Sequence, residues 1–98
     1  MKVGELKGLL DGLQDDTLIG IIFGEFPYVF KVGEINANIN EYFTLVENNS
    51  YKHNRYLTIE DLKYAISEMA DNALVYVKFL DRTWLSNKFV NGNFYVNR

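Results

Sequence analysis

The chain has 98 residues, of which 48% are hydrophobic and 23% are charged, and its formal net charge is −3. This composition is too apolar for an intrinsically disordered protein and predicts one small globular domain. The lack of cysteine excludes disulfides and thiolate metal sites, and no apolar run reaches the roughly 18 residues of a membrane-spanning helix, so we expect a cytoplasmic protein without membrane contacts.

The first half of the chain predicts one helix followed by three strands. Apolar residues recur at helical spacing from Val3 to Leu13, which indicates an amphipathic helix. Asp15 and Asp16 supply turn chemistry after this helix, and the change in apolar alternation around Gly33 predicts a β-bulge. The three strands are predicted at Leu18–Phe23, Tyr28–Ile39 and Tyr42–Glu47.

The second half predicts the same order of elements. Apolar spacing from Ile59 to Met69 indicates a second helix. Thr58 is a natural N-cap for it, and Asp61 stands three residues later, where it completes a capping box. The strands are predicted at Leu74–Leu80, Trp84–Val90 and Asn93–Asn97, the last two joined by a type I′ turn at Asn91-Gly92.

An internal repeat accounts for this shared order. When the chain is compared with itself, Val3–Phe23 aligns with Ile59–Phe79 without a gap. We therefore predict a single α+β domain of two αβββ repeats, about 1–47 and about 57–98, with a linker at about 48–56. Two helices are expected to pack on an antiparallel sheet around a pseudo-two-fold axis, and the pattern leaves open whether the six strands form one sheet or two. The residues identical in both copies are Leu6, Lys7, Asp15, Leu18 and Phe23, matched by Leu62, Lys63, Asp71, Leu74 and Phe79.

The start of the chain resembles a group of known sequences. The run Val3-Gly4-Glu5-Leu6-Lys7, followed by Leu10, Leu13, Asp15-Asp16-Thr17, Ile19 and Ile21, is similar to the opening of many short proteins encoded by bacteriophages and prophages. The resemblance covers mainly residues 3–23 and, more faintly, residues 59–79. It implies a viral accessory protein in the cytoplasm of a host cell, and it transfers no active site.

Acidic residues provide one candidate binding surface. Residues 1–50 carry three lysines and eight acids, a net charge of −5, whereas residues 51–98 carry seven basic side chains and five acids, a net charge of +2. A negative surface of this kind can imitate nucleic-acid phosphates toward a basic host protein. Acids on solvated faces are also common in proteins that use them only for solubility. The candidate acids are Asp11, Asp15, Asp16, Glu25, Glu34 and Glu41.

Aromatic residues in the connection after the first strand provide a second candidate contact. Phe26 and Tyr28 flank the only proline, Pro27, at a predicted hairpin tip. Exposed aromatic side chains at such a tip favour contact with a partner. The competing interpretation is that Phe26 folds over the sheet edge and Pro27 blocks edge pairing.

The linker provides an alternative site of a different kind. His53 is the only histidine, so a multi-histidine metal site is impossible, and a catalytic role there would lack positioned partners. Basic and aromatic residues alternate around it, a mixture that can bind phosphate and stack on bases. Solvated charges with anchoring tyrosines are the plainer interpretation. The residues are Tyr51, Lys52, His53, Arg55 and Tyr56.

The sequence therefore predicts a protein without catalysis, metal or cofactor. The leading hypothesis is a phage or prophage accessory protein that binds a host or phage protein and inhibits a host enzyme or defence complex, an anti-CRISPR-like role included. The alternatives are single-stranded nucleic-acid binding and a structural, self-assembling role as a homo-oligomer.

Overall fold

The computed structural model describes residues 1–25, 28–37, 42–47, 55–79 and 82–96. Within these ranges the chain forms two helices and one curled sheet of seven strands, which confirms a mixed α+β architecture. The helices are α1 (Val3–Leu9) and α2 (Ile59–Ile66). The strands are β1 (Gly20–Phe23), β2 (Phe30–Ala37), β3 (Tyr42–Glu47), β4 (Leu74–Phe79), β5 (Arg82–Leu85), β6 (Lys88–Val90) and β7 (Asn93–Val96).

The sheet is mixed, so the predicted antiparallel sheet is wrong. Its strand order is β5-β4-β3-β2-β1-β7-β6. The neighbours β3 and β4 are parallel, as are β1 and β7, while the other four pairs are antiparallel. The physical reason is the connection: β3 reaches β4 through the crossover segment that contains α2, and such a crossover returns the chain in the same direction.

A polar residue divides the strand predicted at Trp84–Val90 into β5 and β6. Ser86 is fully buried between them. Its backbone N–H donates to Val75 O in β4 over 3.0 Å, and its hydroxyl donates to Tyr95 O in β7 over 3.1 Å. The segment therefore leaves β4 and joins β7 at this residue, and the two end strands of the sheet are separated by only two residues of chain.

Both helices are shorter than their apolar patterns predict. α1 ends at Leu9 and not at Leu13, because the chain has turned by Gly12, whose φ of 88° is left-handed and favours glycine. Leu13 still packs against the core from the turn that follows. α2 likewise ends at Ile66, and Met69 reaches the core from a turn. Apolar spacing therefore marks the buried face beyond the point where helical hydrogen bonding stops.

Local signals are confirmed where the chain has specific backbone chemistry. Thr58 and Asp61 form the capping box of α2, with the Asp61 N–H donating to the Thr58 hydroxyl and the Thr58 N–H donating to the Asp61 carboxylate. Asn91 and Gly92 both have positive φ, as a type I′ turn requires. The register of β2 against β3 shifts between Val32 and Glu34, on either side of the predicted bulge at Gly33.

The core lies between the helices and the concave face of the sheet. Val3, Leu6 and Leu10 from the first helical segment meet Ile59, Leu62 and Ile66 from the second, together with Ile19, Ile21, Leu45, Val75, Val77 and Phe94 from the strands. An aromatic cluster extends this core at the carboxyl ends of β1 and β4. It contains Phe23, Phe30, Phe79 and Trp84, whose rings meet edge to face at centroid separations of 4.8–5.7 Å.

The start of each helix bonds to the turn that precedes a strand of the other half. Val3 N–H donates to Ala73 O and Ile59 N–H donates to Thr17 O, each over 2.8 Å. Isolated β-bridges stand beside these bonds, at Lys2 with Leu74 and at Thr58 with Leu18. Each contact thus has a counterpart at the aligned positions of the other half. Two further pairs of this kind are Gly4 N–H to Asp71 O with Glu60 N–H to Asp15 O, and the ion pairs Lys7–Asp71 and Lys63–Asp15.

The two helix starts differ in their caps, which generates a paired prediction. Lys2 occupies the N-cap of α1 in extended conformation and makes no side-chain cap, although Glu5 stands three residues on. We expect Lys2→Thr to raise the free energy of unfolding by about 0.5–1 kcal/mol, because it creates a capping box, and Thr58→Ala to lower it by about 1 kcal/mol. Urea denaturation of both variants measures this. A destabilised Lys2→Thr variant would contradict the capping argument.

Candidate functional site

The convex face of β2, β3, β4 and β5 carries a polar depression, which we call the outer groove. Cross-strand register builds it: Asn36 lies opposite Thr44, and Thr44 lies opposite Tyr76. One step along β4, Lys78 lies opposite Thr83. Among the described residues, these five line an open cavity of about 540 Å³. The next residues along the same strands, such as Leu45 and Val77, point into the core, so the groove lies on the opposite face of the sheet.

Thr44 is the unusual member of the outer groove. Its exposed fraction is 7%, and within the described part of the chain its hydroxyl makes no hydrogen bond to another protein group. Ser86, the other buried residue with a hydroxyl in the described ranges, donates its proton to Tyr95 O over 3.1 Å. A buried hydroxyl without a partner costs about 1–3 kcal/mol, and native proteins contain few of them. The groove therefore holds a polar atom that the described fold does not use.

The outer groove has a lysine at one side and a glutamate two strands away. Lys78 is exposed, and Val46 separates it from Glu34 in the same cross-strand row. Since adjacent strands lie about 4.8 Å apart, the backbones at Glu34 and Lys78 are roughly 10 Å apart. One cation thus faces the groove, with a carboxylate two strands away.

The matching surface of the first half is filled by the chain itself. The repeat alignment places Gly20 where β4 has Tyr76 and Ile22 where β4 has Lys78. A Cβ atom at Gly20 would overlap Asn93 Oδ1 and Val29 Cγ1. This close approach explains why glycine stands at that outward position of β1.

The structure separates the acidic residues that the sequence grouped together. Asp15 and Asp16 precede β1, whereas Glu25 follows it, so they lie at opposite ends of that strand. Asp15 pairs with Lys63 over 2.9 Å, and Asp16 is exposed. Glu34 lies on the convex face of β2, and Glu41 lies outside the described residues.

The predicted aromatic tip is described in part, and we call its described residues, Glu25, Tyr28 and Val29, the tip surface. Tyr28 exposes 65% of its surface and Val29 exposes 42%. Glu25 is exposed in the turn after β1. Phe26 and Pro27 lie outside the described residues.

The helices and their following turns carry an acidic surface that charge counts by half of the chain missed. Residues 1–17 contain two lysines and four acids, and residues 55–73 contain two basic side chains and four acids, so each segment has a net charge of −2. The two helices contact each other, which joins these segments. The alignment of the two halves indicates this distribution of acids, because it matches Asp15 with Asp71 and Glu5 with Asp61. We call the exposed acids Glu5, Asp11, Asp16, Glu60 and Glu68 the helical surface.

The proposed nucleic-acid residues of the linker are mostly outside the described chain. This applies to Tyr51, Lys52 and His53. Arg55 is described, and its guanidinium donates to the Asp61 carboxylate, while Tyr56 is half exposed. Arg55 is therefore engaged in supporting α2.

The carboxyl group of Asp61 is the one described group with a clear shift in its pKa. Burial raises its pKa, but hydrogen bonds from the backbone N–H of Thr58, the Arg55 guanidinium and the Thr58 hydroxyl together outweigh burial. The pKa of Asp61 therefore lies below its ordinary value of 3.8. The shift belongs to helix capping and marks no reactive site.

Two other features, a cluster of metal-binding side chains and a membrane-spanning helix, are absent from the described residues. Among the described ranges, no group of three or more histidine, cysteine, aspartate or glutamate side chains is placed to hold a metal ion. Neither helix in the described parts of the chain is long and apolar enough to cross a bilayer.

The unbonded hydroxyl in the outer groove leads to a stability prediction. We expect Thr44→Val to leave the free energy of unfolding unchanged or to raise it by up to about 1 kcal/mol, because valine has the same shape without the buried hydroxyl. Ser86→Ala is the matched control and should lower it by about 1 kcal/mol or more, since it removes a buried, bonded hydroxyl. Thermal and urea denaturation measure both. A loss above about 1 kcal/mol in Thr44→Val would show that its hydroxyl is bonded.

The low pKa of Asp61 predicts how stability depends on pH. The contribution of Asp61 to the free energy of unfolding is fully present above its pKa in the unfolded chain, near 3.8. It is lost as the pH falls through the lower pKa of the folded protein. Asp61→Asn should therefore be less stable than the native chain at pH 7, with a difference that shrinks below about pH 4. Denaturation at pH 7 and at lower pH measures this, with the exposed Glu60→Gln as control. An equal deficit at both pH values would contradict the assignment.

Comparison with protein-family models, with curated proteins and with solved structures finds no match to this chain. The geometry of the described residues therefore carries the argument about function. Its three surfaces are the outer groove, the tip surface and the helical surface.

Proposed function

We propose that this chain is a non-catalytic domain that works by binding another protein, as a phage or prophage accessory protein that inhibits a host enzyme or defence complex. The tip surface is the observation that supports this most directly. In it Tyr28 exposes 65% of its surface, and the next residue, Val29, exposes 42%. Tyrosines of this kind are frequent anchors of protein interfaces.

The packing beneath the tip surface favours this role. Phe30 follows Tyr28 by two residues, and its ring lies 5.7 Å from Phe23 and 4.8 Å from Phe79, measured between centroids. The aromatic cluster therefore anchors the chain just after the exposed side chains. A contact residue on a fixed base loses less conformational entropy on binding than one on a free loop.

The helical surface adds a role for charge in this proposal. It carries exposed acids from both halves, so its potential attracts a basic partner. Charge of this kind mainly raises the rate of association and selects among partners, whereas packed aromatic contacts set the rate of dissociation. We therefore assign partner selection to the helical surface and close contact to the tip surface.

We also propose that the domain arose by duplication of an αβββ unit and that its copies are related by a pseudo-two-fold axis. The support is the set of contacts that recur at aligned positions of the two halves, from the helix-start hydrogen bonds to the Lys7–Asp71 and Lys63–Asp15 ion pairs. In this scheme β5 and β6 together correspond to β2. The start of β2 pairs with β1 and the rest of it pairs with β3, just as β5 pairs with β4 and β6 pairs with β7.

Two alternatives stay predictions. Single-stranded nucleic-acid binding by the linker depends mainly on residues outside the described ranges, and Arg55 already pairs with Asp61. Self-assembly into a homo-oligomer predicts a larger particle by light scattering. Neither has a described contact in its favour that compares with the tip surface.

The proposal is tested by affinity capture from host cells with the full chain as bait. We expect a specific protein to be retained by the native chain, with retention reduced at least about tenfold by Tyr28→Ser, as for an interface anchor. Leu85→Ser is the matched control, because Leu85 is 47% exposed on β5, outside both the tip surface and the helical surface, and it should retain the partner fully. No retained protein, or equal loss in both variants, would count against the proposal.

A further inference from the structure

We propose that the outer groove is a binding site for a small phosphorylated ligand of the mononucleotide class. This inference goes beyond the protein contact proposed above, since it uses a different face of the sheet and a different kind of ligand. It depends on three observations: the side chains that the register brings together, the buried hydroxyl of Thr44, and the filling of the matching surface elsewhere in the chain.

The first observation is the chemistry of the lining. Asn36, Thr44 and Tyr76 lie side by side across three strands, so an amide, a hydroxyl and a phenol ring face the same space. Lys78 and Thr83 add an ammonium group and a second hydroxyl at the next row. Directly opposed residues on one face have Cβ atoms about 5 Å apart, so these groups can contact a single small molecule.

The second observation is the Thr44 hydroxyl. It is more than nine-tenths buried, it lines the groove, and it makes no hydrogen bond to another group within the described chain. Most buried polar atoms in native structures have a partner, so this hydroxyl is open to a bond from a group outside the described fold. A ligand that carries its own donors and acceptors, such as a sugar hydroxyl, supplies that partner.

The charge and size of the groove select among ligands. A lysine ammonium is a common point contact for phosphate, and a tyrosine ring offers a surface for a heteroaromatic base. The outer groove is an open depression, and its volume of about 540 Å³ gives room for a small ligand. Glu34 lies in the same row as Lys78, with Val46 between them. Among the described lining residues Lys78 is the one cation, which favours a ligand with one phosphate over a polyanion or a nucleic-acid strand.

The third observation is the difference between the two halves. The position that matches Tyr76 is Gly20, and there Val29 and Asn93 occupy the space that a side chain would need. The chain therefore closes this surface in one half and leaves it open in the other. The open surface is the one that carries the lysine and the unbonded hydroxyl.

The experiment is calorimetric titration of the full chain with adenosine 5′-monophosphate, with inorganic phosphate and adenosine as separate arms. We expect one nucleotide per chain, bound more tightly than either part alone. Lys78→Gln should weaken binding at least about tenfold, the effect of losing a hydrogen bond to a charged group, and Lys78→Arg should retain it. Thr44→Val should weaken binding about two- to tenfold, the effect of losing a neutral hydrogen bond.

Lys88→Gln is the matched control, because Lys88 lies on the convex face of β6 with its ammonium 5.1 Å from the centre of the Tyr95 ring, outside the groove. It should leave the affinity within about twofold. The proposal is overturned if the nucleotide does not bind, if Lys78→Gln and Lys88→Gln weaken binding equally, or if adenosine binds as well as the nucleotide. Tighter binding of a short oligonucleotide at the same residues would also overturn it, in favour of a nucleic-acid surface.

Discussion

The reciprocal docking of the two helix starts is the constraint on which the rest of the fold depends. The first N–H groups of any helix lack partners within the helix, and a buried helix start must find them elsewhere. Here the partners are carbonyl groups of the opposite half: Ala73 O accepts from Val3, and Thr17 O accepts from Ile59. These bonds fix where each helix begins, and so they fix which side chains reach the concave face of the sheet.

That arrangement also distinguishes the two ends of strands β1 and β4. Helix starts bond beside the entry of β1 and of β4, while Phe23 and Phe79 meet at the exits of the same strands, 5.0 Å apart between ring centroids. The helical surface lies on the side of the helices, and the surface near the aromatic cluster carries the exposed Tyr28 and Val29. The helical surface and the tip surface are therefore separate.

Much of the fold could be predicted because it depends on short patterns. The cap at Thr58, the turn at Asn91-Gly92 and the bounds of β3 each depend on a few adjacent residues. Strand direction could not be predicted, because parallel pairing of β1 with β7 joins residues from opposite ends of the chain and leaves no period in the sequence. The end of α1 was placed too late for a related reason: Leu13 keeps the apolar spacing after Gly12 has already turned the chain.

The outer groove was missed by sequence analysis for a different physical reason. Asn36, Thr44 and Tyr76 each resemble ordinary outward-facing strand residues, and only the register of three strands brings them together. The acids of the second half were missed because charge was counted along the chain. In the folded protein the acids concentrate in the helical layer, because the helix and turn segment of each half has a net charge of −2.

The reciprocal contacts have one more consequence. Among the described residues, every bond that joins a helix start to a turn connects residues up to position 18 with residues after position 56. An exchange of amino-terminal and carboxyl-terminal portions between two molecules would preserve these bonds. Such an exchange would need no new interface, so protein concentration would set its extent.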